Sequence, residues 1–152
     1  MDYLEYKWGL RKGGLGKSRR DYIDFVVNGQ PLSEILNIVE FDFVGLFGWS
    51  DVPDAYELSL LYQLKGIKDS QLDSKRIMVY GCPECADIGC GSITCKLEEK
   101  SDRIIWRDFG YENGVDAIDL SGFEKIPTYE FVKEDYISVF NQVEEEIRNK
   151  KK

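Results

Sequence analysis

The sequence predicts an α+β fold in a single domain over residues 1–152, with a mostly antiparallel sheet, a central hairpin and a C-terminal amphipathic helix. Three observations predict it. Ile93, Cys95 and Leu97 alternate with Thr94, Lys96 and Glu98, the two-residue period of a strand, and RIIWRDF returns after a polar turn near Lys100–Asp102. Val132, Tyr136, Val139, Phe140, Val143 and Ile147 recur at helical spacing, with Glu144, Glu145, Arg148 and Asn149 turned to water. No internal repeat or linker-like segment divides the chain.

The other elements follow in order. Residues 3–10 and Tyr22–Val27 read as strands separated by a Gly- and Lys-rich loop, and Asn28-Gly29 supplies a turn with positive φ. Pro31–Val39 is expected as a short helix, and FDFVGLF at 41–47 as a strand or a buried edge segment. Pro53 ahead of DAYELSLLYQLK, with Gly66 just beyond, has the Pro-start, Gly-stop asymmetry of a helix. Residues 67–76 read as an exposed polar connection. IMVY at 77–80 is a strand running into the cysteine-rich loop, residues 110–122 are expected as loop, and a last strand lies around Tyr129–Val132. The basic end, Arg148 with Lys150–Lys152, suits the negative end of a helix dipole.

Composition narrows the function classes. A hydrophobic fraction of 43 % in 152 residues is enough for a real core, so no metal is needed merely to fold. No apolar run approaches the roughly 20 residues of a membrane span, and the acidic, aromatic N-terminus is unlike a signal peptide. A cytoplasmic location is therefore expected, where thiols stay reduced. The net charge of −8 opposes general affinity for nucleic acid and favours a protein partner, with a basic one the natural match. Residues 1–30 nevertheless carry six basic groups, five of them between Arg11 and Arg20, and this run is expected as a solvated loop. The chain has no histidine, which removes His-based nucleophile activation and every mixed Cys/His metal site.

All four cysteines fall in CPECADIGCGSITC, a C-x2-C-x4-C-x4-C pattern of Cys82, Cys85, Cys90 and Cys95. Four thiolates suit tetrahedral Zn2+, and the glycines at 81, 89 and 91 let the backbone turn around an ion. The expected cofactor is thus one structural zinc ion. Cys95 also shares a strand face with Ile93 and Leu97 and so fits the core, which would leave three thiolates with Asp87, Glu84, water or nothing in fourth place. The spacing resembles the zinc knuckle of retroviral nucleocapsid proteins, with Cys90 where the knuckle has histidine. The acidic neighbours Glu84, Asp87, Glu98 and Glu99 do not carry over its nucleic-acid function.

Other motifs carry less. Gly13–Ser18 lacks the first glycine of a phosphate-binding loop, because position 11 is arginine, and a strand rather than a helix follows. Asp108-Phe109-Gly110 matches a kinase triplet by letters alone. No catalytic residues are assigned. Trp8, Phe41, Phe43, Phe47 and Trp49 are expected as core, an exposed subset marking a partner surface.

From Ile77 onward, CPECADIGCGSIT, IIWRDFGYEN and YEFVKEDY resemble a family of small, uncharacterised bacterial proteins with a CPECxDxGCG…IxWRDFGY signature. The resemblance covers about half the chain. It implies importance for Cys82, Cys85 and Cys90 with Gly91, and an ordinary β residue at position 95. Together these readings give a non-enzymatic interaction protein with a zinc-holding cysteine loop, of the size and charge of a bacterial immunity or adaptor protein. The alternative is a thiol- or zinc-dependent oxidoreductase using Cys82 and Cys85.

Overall fold

The computed structural model describes residues 1–150; Lys151 and Lys152, part of the expected basic end, lie outside them. Two antiparallel sheets form the frame. The first has β1 (Leu4–Arg11), β2 (Arg20–Val27) and β3 (Gln30–Pro31) in that order. β1 and β2 pair from Leu4 opposite Val27 to Arg11 opposite Arg20, and Asn28 (φ 53°) and Gly29 (φ 84°) make the expected turn into β3. The second sheet has β4 (Val44–Gly45), β5 (Ile77–Gly81), β6 (Ser92–Glu99), β7 (Arg103–Glu112) and β8 (Tyr129–Val132), each antiparallel to its neighbour.

The sheets are joined at both flanks. The Asp2 N–H donates to the Glu130 carbonyl at 2.8 Å, and the Ile23 N–H to the Phe47 carbonyl at 2.9 Å. A Cβ at position 45 would stand 2.2 Å from the Ile23 carbonyl oxygen, so only glycine lets β4 approach β2 this closely. Both inner faces therefore share one core. Phe25 packs against Phe47, Trp106 and Phe140 at ring-centroid distances of 6.2, 5.7 and 5.3 Å.

Helices cover this core. α1 (Leu32–Ile35) is shorter than the helix expected over Pro31–Val39. Asn37 and Asp42 adopt left-handed φ near 53° and 54°, which ends it and brackets a single 3-10 turn at Ile38–Phe41. Asn and Asp are the non-glycine residues that tolerate this region. α2 (Asp54–Lys65) has the expected bounds, with Gly66 at φ 81° behind it, and packs against α3 (Lys133–Asn149). In α3 the stripe of Tyr136, Phe140, Val143 and Ile147 is buried, while Val139 is only partly covered. The Trp106 Nε1–H donates to the Tyr136 hydroxyl at 3.0 Å, which itself donates to the Leu64 carbonyl, tying β7, α3 and α2 together.

In 41–47 the buried-segment reading holds for Phe43–Phe47, of which Val44–Gly45 pair as strand, while Phe41 is half-buried and Asp42 exposed. Two expectations are corrected. The 67–76 connection is not wholly exposed, because Leu72 and Arg76 are buried. Arg76 donates to Thr94 Oγ1 at 2.8 Å and to the Thr94 and Asp108 carbonyls, with Glu112 3.7 Å away, so its charge is satisfied inside the protein. The start of the expected 110–122 loop belongs to β7, which runs to Glu112. No helix among the described residues is long and apolar enough to cross a membrane.

Candidate metal centre

β5 is buried along its whole length and delivers the chain at Gly81 directly into the cysteine loop. The loop turns tightly. The Ala86 N–H donates to the Cys82 carbonyl at 2.9 Å, and Ala86 itself has φ 57°. Asp87 caps a single 3-10 turn, Ile88–Cys90, by accepting the Gly89 N–H. Gly91, at φ 91°, then turns the chain into β6; a Cβ there would lie 2.5 Å from the Tyr111 hydroxyl.

This path gathers three sulfurs. The Sγ atoms of Cys82, Cys85 and Cys90 all lie within 4.8 Å of one another, and those of Cys85 and Cys90 are 3.1 Å apart. Tetrahedral Zn–S bonds of about 2.3 Å place thiolate sulfurs about 3.8 Å apart, inside that range. The chemistry of the donor set therefore fits a thiophilic cation with only small side-chain adjustments. Among the described residues, no other set of three Cys, Asp or Glu donors converges this closely.

Cys95 is not in the group, which corrects its place as a fourth ligand. It sits on β6 opposite Ile77, is completely buried in the core, and burial pushes its thiol up to about 12. The alternation of β6 would send Cys95 to one buried face, but the strand is buried on both faces from Ser92 to Cys95. Glu84 and Asp87 do not replace it. The Asp87 carboxylate is engaged by Gly89, and Glu84 accepts the Ser18 N–H at 3.1 Å, the Ser18 hydroxyl at 2.6 Å and Arg11 at 2.9 Å. Those Ser18 bonds and the Arg11 guanidinium hold Glu84 at a pKa of about 2. Three sulfurs of this chain, those of Cys82, Cys85 and Cys90, could thus hold an ion.

The free thiols resist carrying three charges together. Burial pushes the Cys82 thiol up, but the backbone N–H groups of Glu84 and Cys85, together with hydrogen bonds from the Cys85 and Cys90 thiols, leave Cys82 below its ordinary value. Cys90 is pushed up to about 12 by its hydrogen bond to Cys85 and by charge at Cys82 and Cys85. A divalent cation removes that repulsion, because it neutralises the thiolates it gathers.

The residues that brace the loop were not legible in the sequence as functional. Arg11 and Arg20 end the run expected as a solvated basic loop, yet both are pinned. Facing each other at the mouth of the β1–β2 hairpin, they clasp the Cys82–Cys85 turn. Arg20 is 7 % exposed, donates to the Pro83 carbonyl at 2.6 Å, pairs with Asp51 and lies 4.1 Å over the Trp49 ring. Arg11 bridges Glu84 and Asp42 and donates to the Ser18 carbonyl. The only sequence signal is the symmetric placing of the two arginines on either side of a glycine-rich loop.

A cleft of about 150 Å³ opens beside Cys82 and Cys90, walled by Arg11, Phe41, Phe43 and Glu84. Phe41 stacks on Phe43 and Tyr111, at 5.2 and 5.8 Å between centroids. Phe43, Phe47 and Trp49 are core, as expected; Phe41 is only partly buried against it, and Trp8 is 46 % exposed, its Nε1–H donating to Glu146. No protein-family model, curated protein or solved structure matches the chain.

Proposed function

We propose that this chain is a non-enzymatic interaction domain in which Cys82, Cys85 and Cys90 hold one Zn2+, with the fourth ligand coming from outside the chain. The observation that carries this is the convergence of three sulfurs on a loop already braced by Arg11, Ser18 and Arg20. Zinc is the metal because the donors are thiolates alone and the spacing suits tetrahedral bonds. The ion would tie β5 to the start of β6 at the surface. The acidic balance of the chain suits a basic protein partner in the cytoplasm, as for an immunity or adaptor protein.

The thiol-oxidoreductase alternative at Cys82 and Cys85 has one observation in its favour, the lowered Cys82 thiol. Against it, no helix starts at Cys82, so the helix-terminal activation typical of a C-x-x-C redox pair is missing.

Metal analysis of protein purified without added zinc tests the proposal. About one zinc per chain is expected, falling to near zero in Cys85→Ser and Cys90→Ser. Purified protein that neither carries nor takes up zinc would overturn it.

A further inference from the structure

The three sulfurs of the centre are not equivalent. Cys82 is half-buried and adjoins Pro83, whose carbonyl is held by the buried Arg20. Cys85 and Cys90 are both exposed, at the two ends of a turn anchored between them by the buried Ala86, whose carbonyl accepts the Tyr56 hydroxyl at 3.4 Å. Their sulfurs are the pair at 3.1 Å. A disulfide needs about 2.05 Å, so closure asks the two sulfurs to approach by about 1 Å, within reach of modest side-chain rotation on an exposed turn.

We infer that Cys85 and Cys90 are a peroxide-oxidisable dithiol whose disulfide releases the metal. The release part rests on the zinc proposal above; the dithiol itself does not. The exposed Cys85 thiolate attacks one oxygen of hydrogen peroxide, the O–O bond breaks, and the product is Cys85 sulfenic acid with one water after protonation. The Cys90 sulfur then attacks the sulfenic sulfur, the S–O bond breaks, and a second water leaves as the disulfide forms. In balance, two thiolates give two electrons to one peroxide, and two protons are taken up to make two waters. Only Cys82 then remains as a ligand, and a single thiolate does not retain the ion.

The pairing differs from the one the C-x-x-C motif implies. Cys82 and Cys85 are closer in sequence, but Cys82 is the clamped, half-buried member. Oxidation therefore leaves the Arg20-braced side of the loop in place and alters its exposed side.

The test uses the full chain, reduced and loaded with zinc, treated with one equivalent of hydrogen peroxide beside a chromogenic chelator. About one zinc should be released per disulfide formed, and peptide mapping should place the link at Cys85–Cys90. Zinc affinity should fall more than about 100-fold and return on reduction. Cys82→Ser, treated in the same way without metal, should still form the link. Retention of zinc after peroxide, or a link mapping to Cys82–Cys85, would overturn the inference while leaving zinc binding intact. If the chain takes up no zinc, the metal proposal and the release fail together. Mapping of the metal-free protein then decides the dithiol alone, with a Cys85–Cys90 link sustaining it and any other product refuting it.

Discussion

Replacing Arg20 separates the bracing of the cysteine loop from its metal chemistry. Arg20→Ala removes a charge-assisted hydrogen bond to the buried Pro83 carbonyl, a stacking contact with Trp49 and an ion pair with Asp51. The first is worth about 1.5–3 kcal/mol and the second about 1 kcal/mol; the third adds little, because the Asp51 carboxylate is largely solvated. A loss of about 3 kcal/mol is expected, read as a lower urea midpoint at unchanged slope in chelator-treated protein. For a domain of this size that corresponds to a fall in Tm of about 6–12 °C. Zinc affinity, measured by competition under conditions where the variant stays folded, should fall about 10- to 100-fold, the usual cost of losing a group that orients a ligand loop. Arg20→Lys should recover only part of both losses, because lysine cannot present the planar fork that meets Pro83 and Asp51 while lying over the indole. A variant that loses stability but keeps full zinc affinity would refute the claim that this arginine preorganises the cysteines. So would one that loses nothing.

Further outcomes follow from other parts of the molecule. Cys95→Val exchanges a buried thiol for a methyl-bearing side chain of similar size, so stability should change by less than about 1.5 kcal/mol and zinc stoichiometry not at all; metal loss would restore Cys95 to the ligand set. Gly45→Ala should cost more than about 3 kcal/mol in urea unfolding, since its Cβ would press into the Ile23 carbonyl and part the sheets. Glu144 is held below its usual carboxylate range first by Lys65 and then by Arg148. Because its folded pKa is depressed, its contribution is full above the unfolded value near pH 4.3 and disappears as pH falls through the folded value. Glu144→Gln should therefore lie about 1 kcal/mol below the parent at pH 6–7 and converge with it near pH 3; a constant gap across that range would contradict the assignment.

The elements set by local rules were readable along the chain. The two-residue alternation of Ile93–Glu98 and the turn after it gave the β6–β7 hairpin, the Pro53 and Gly66 punctuation gave α2, and the helical stripe gave α3. What failed depends on contacts between distant residues. Asn37 and Asp42 are residue types that tolerate a left-handed backbone, but the local sequence does not say that both adopt it, and the composition of 67–76 cannot reveal that Arg76 finds Thr94, Asp108 and Glu112 around it. The same limit acts at the metal centre. Spacing assembled the four cysteines but could not choose between loop and core for Cys95, because that choice depends on β6 being covered on both faces. A run of arginines and lysines looks solvated until its two ends meet Glu84, Pro83 and Asp51.

The central claim is a three-thiolate metal centre in which Cys95 takes no part. Zinc-edge X-ray absorption on the loaded protein tests it most directly. The expected result is three sulfur neighbours at about 2.3 Å and one oxygen or nitrogen neighbour at about 2.0–2.1 Å, unchanged in Cys95→Val. Four sulfur neighbours, with one lost in Cys95→Val, would contradict it.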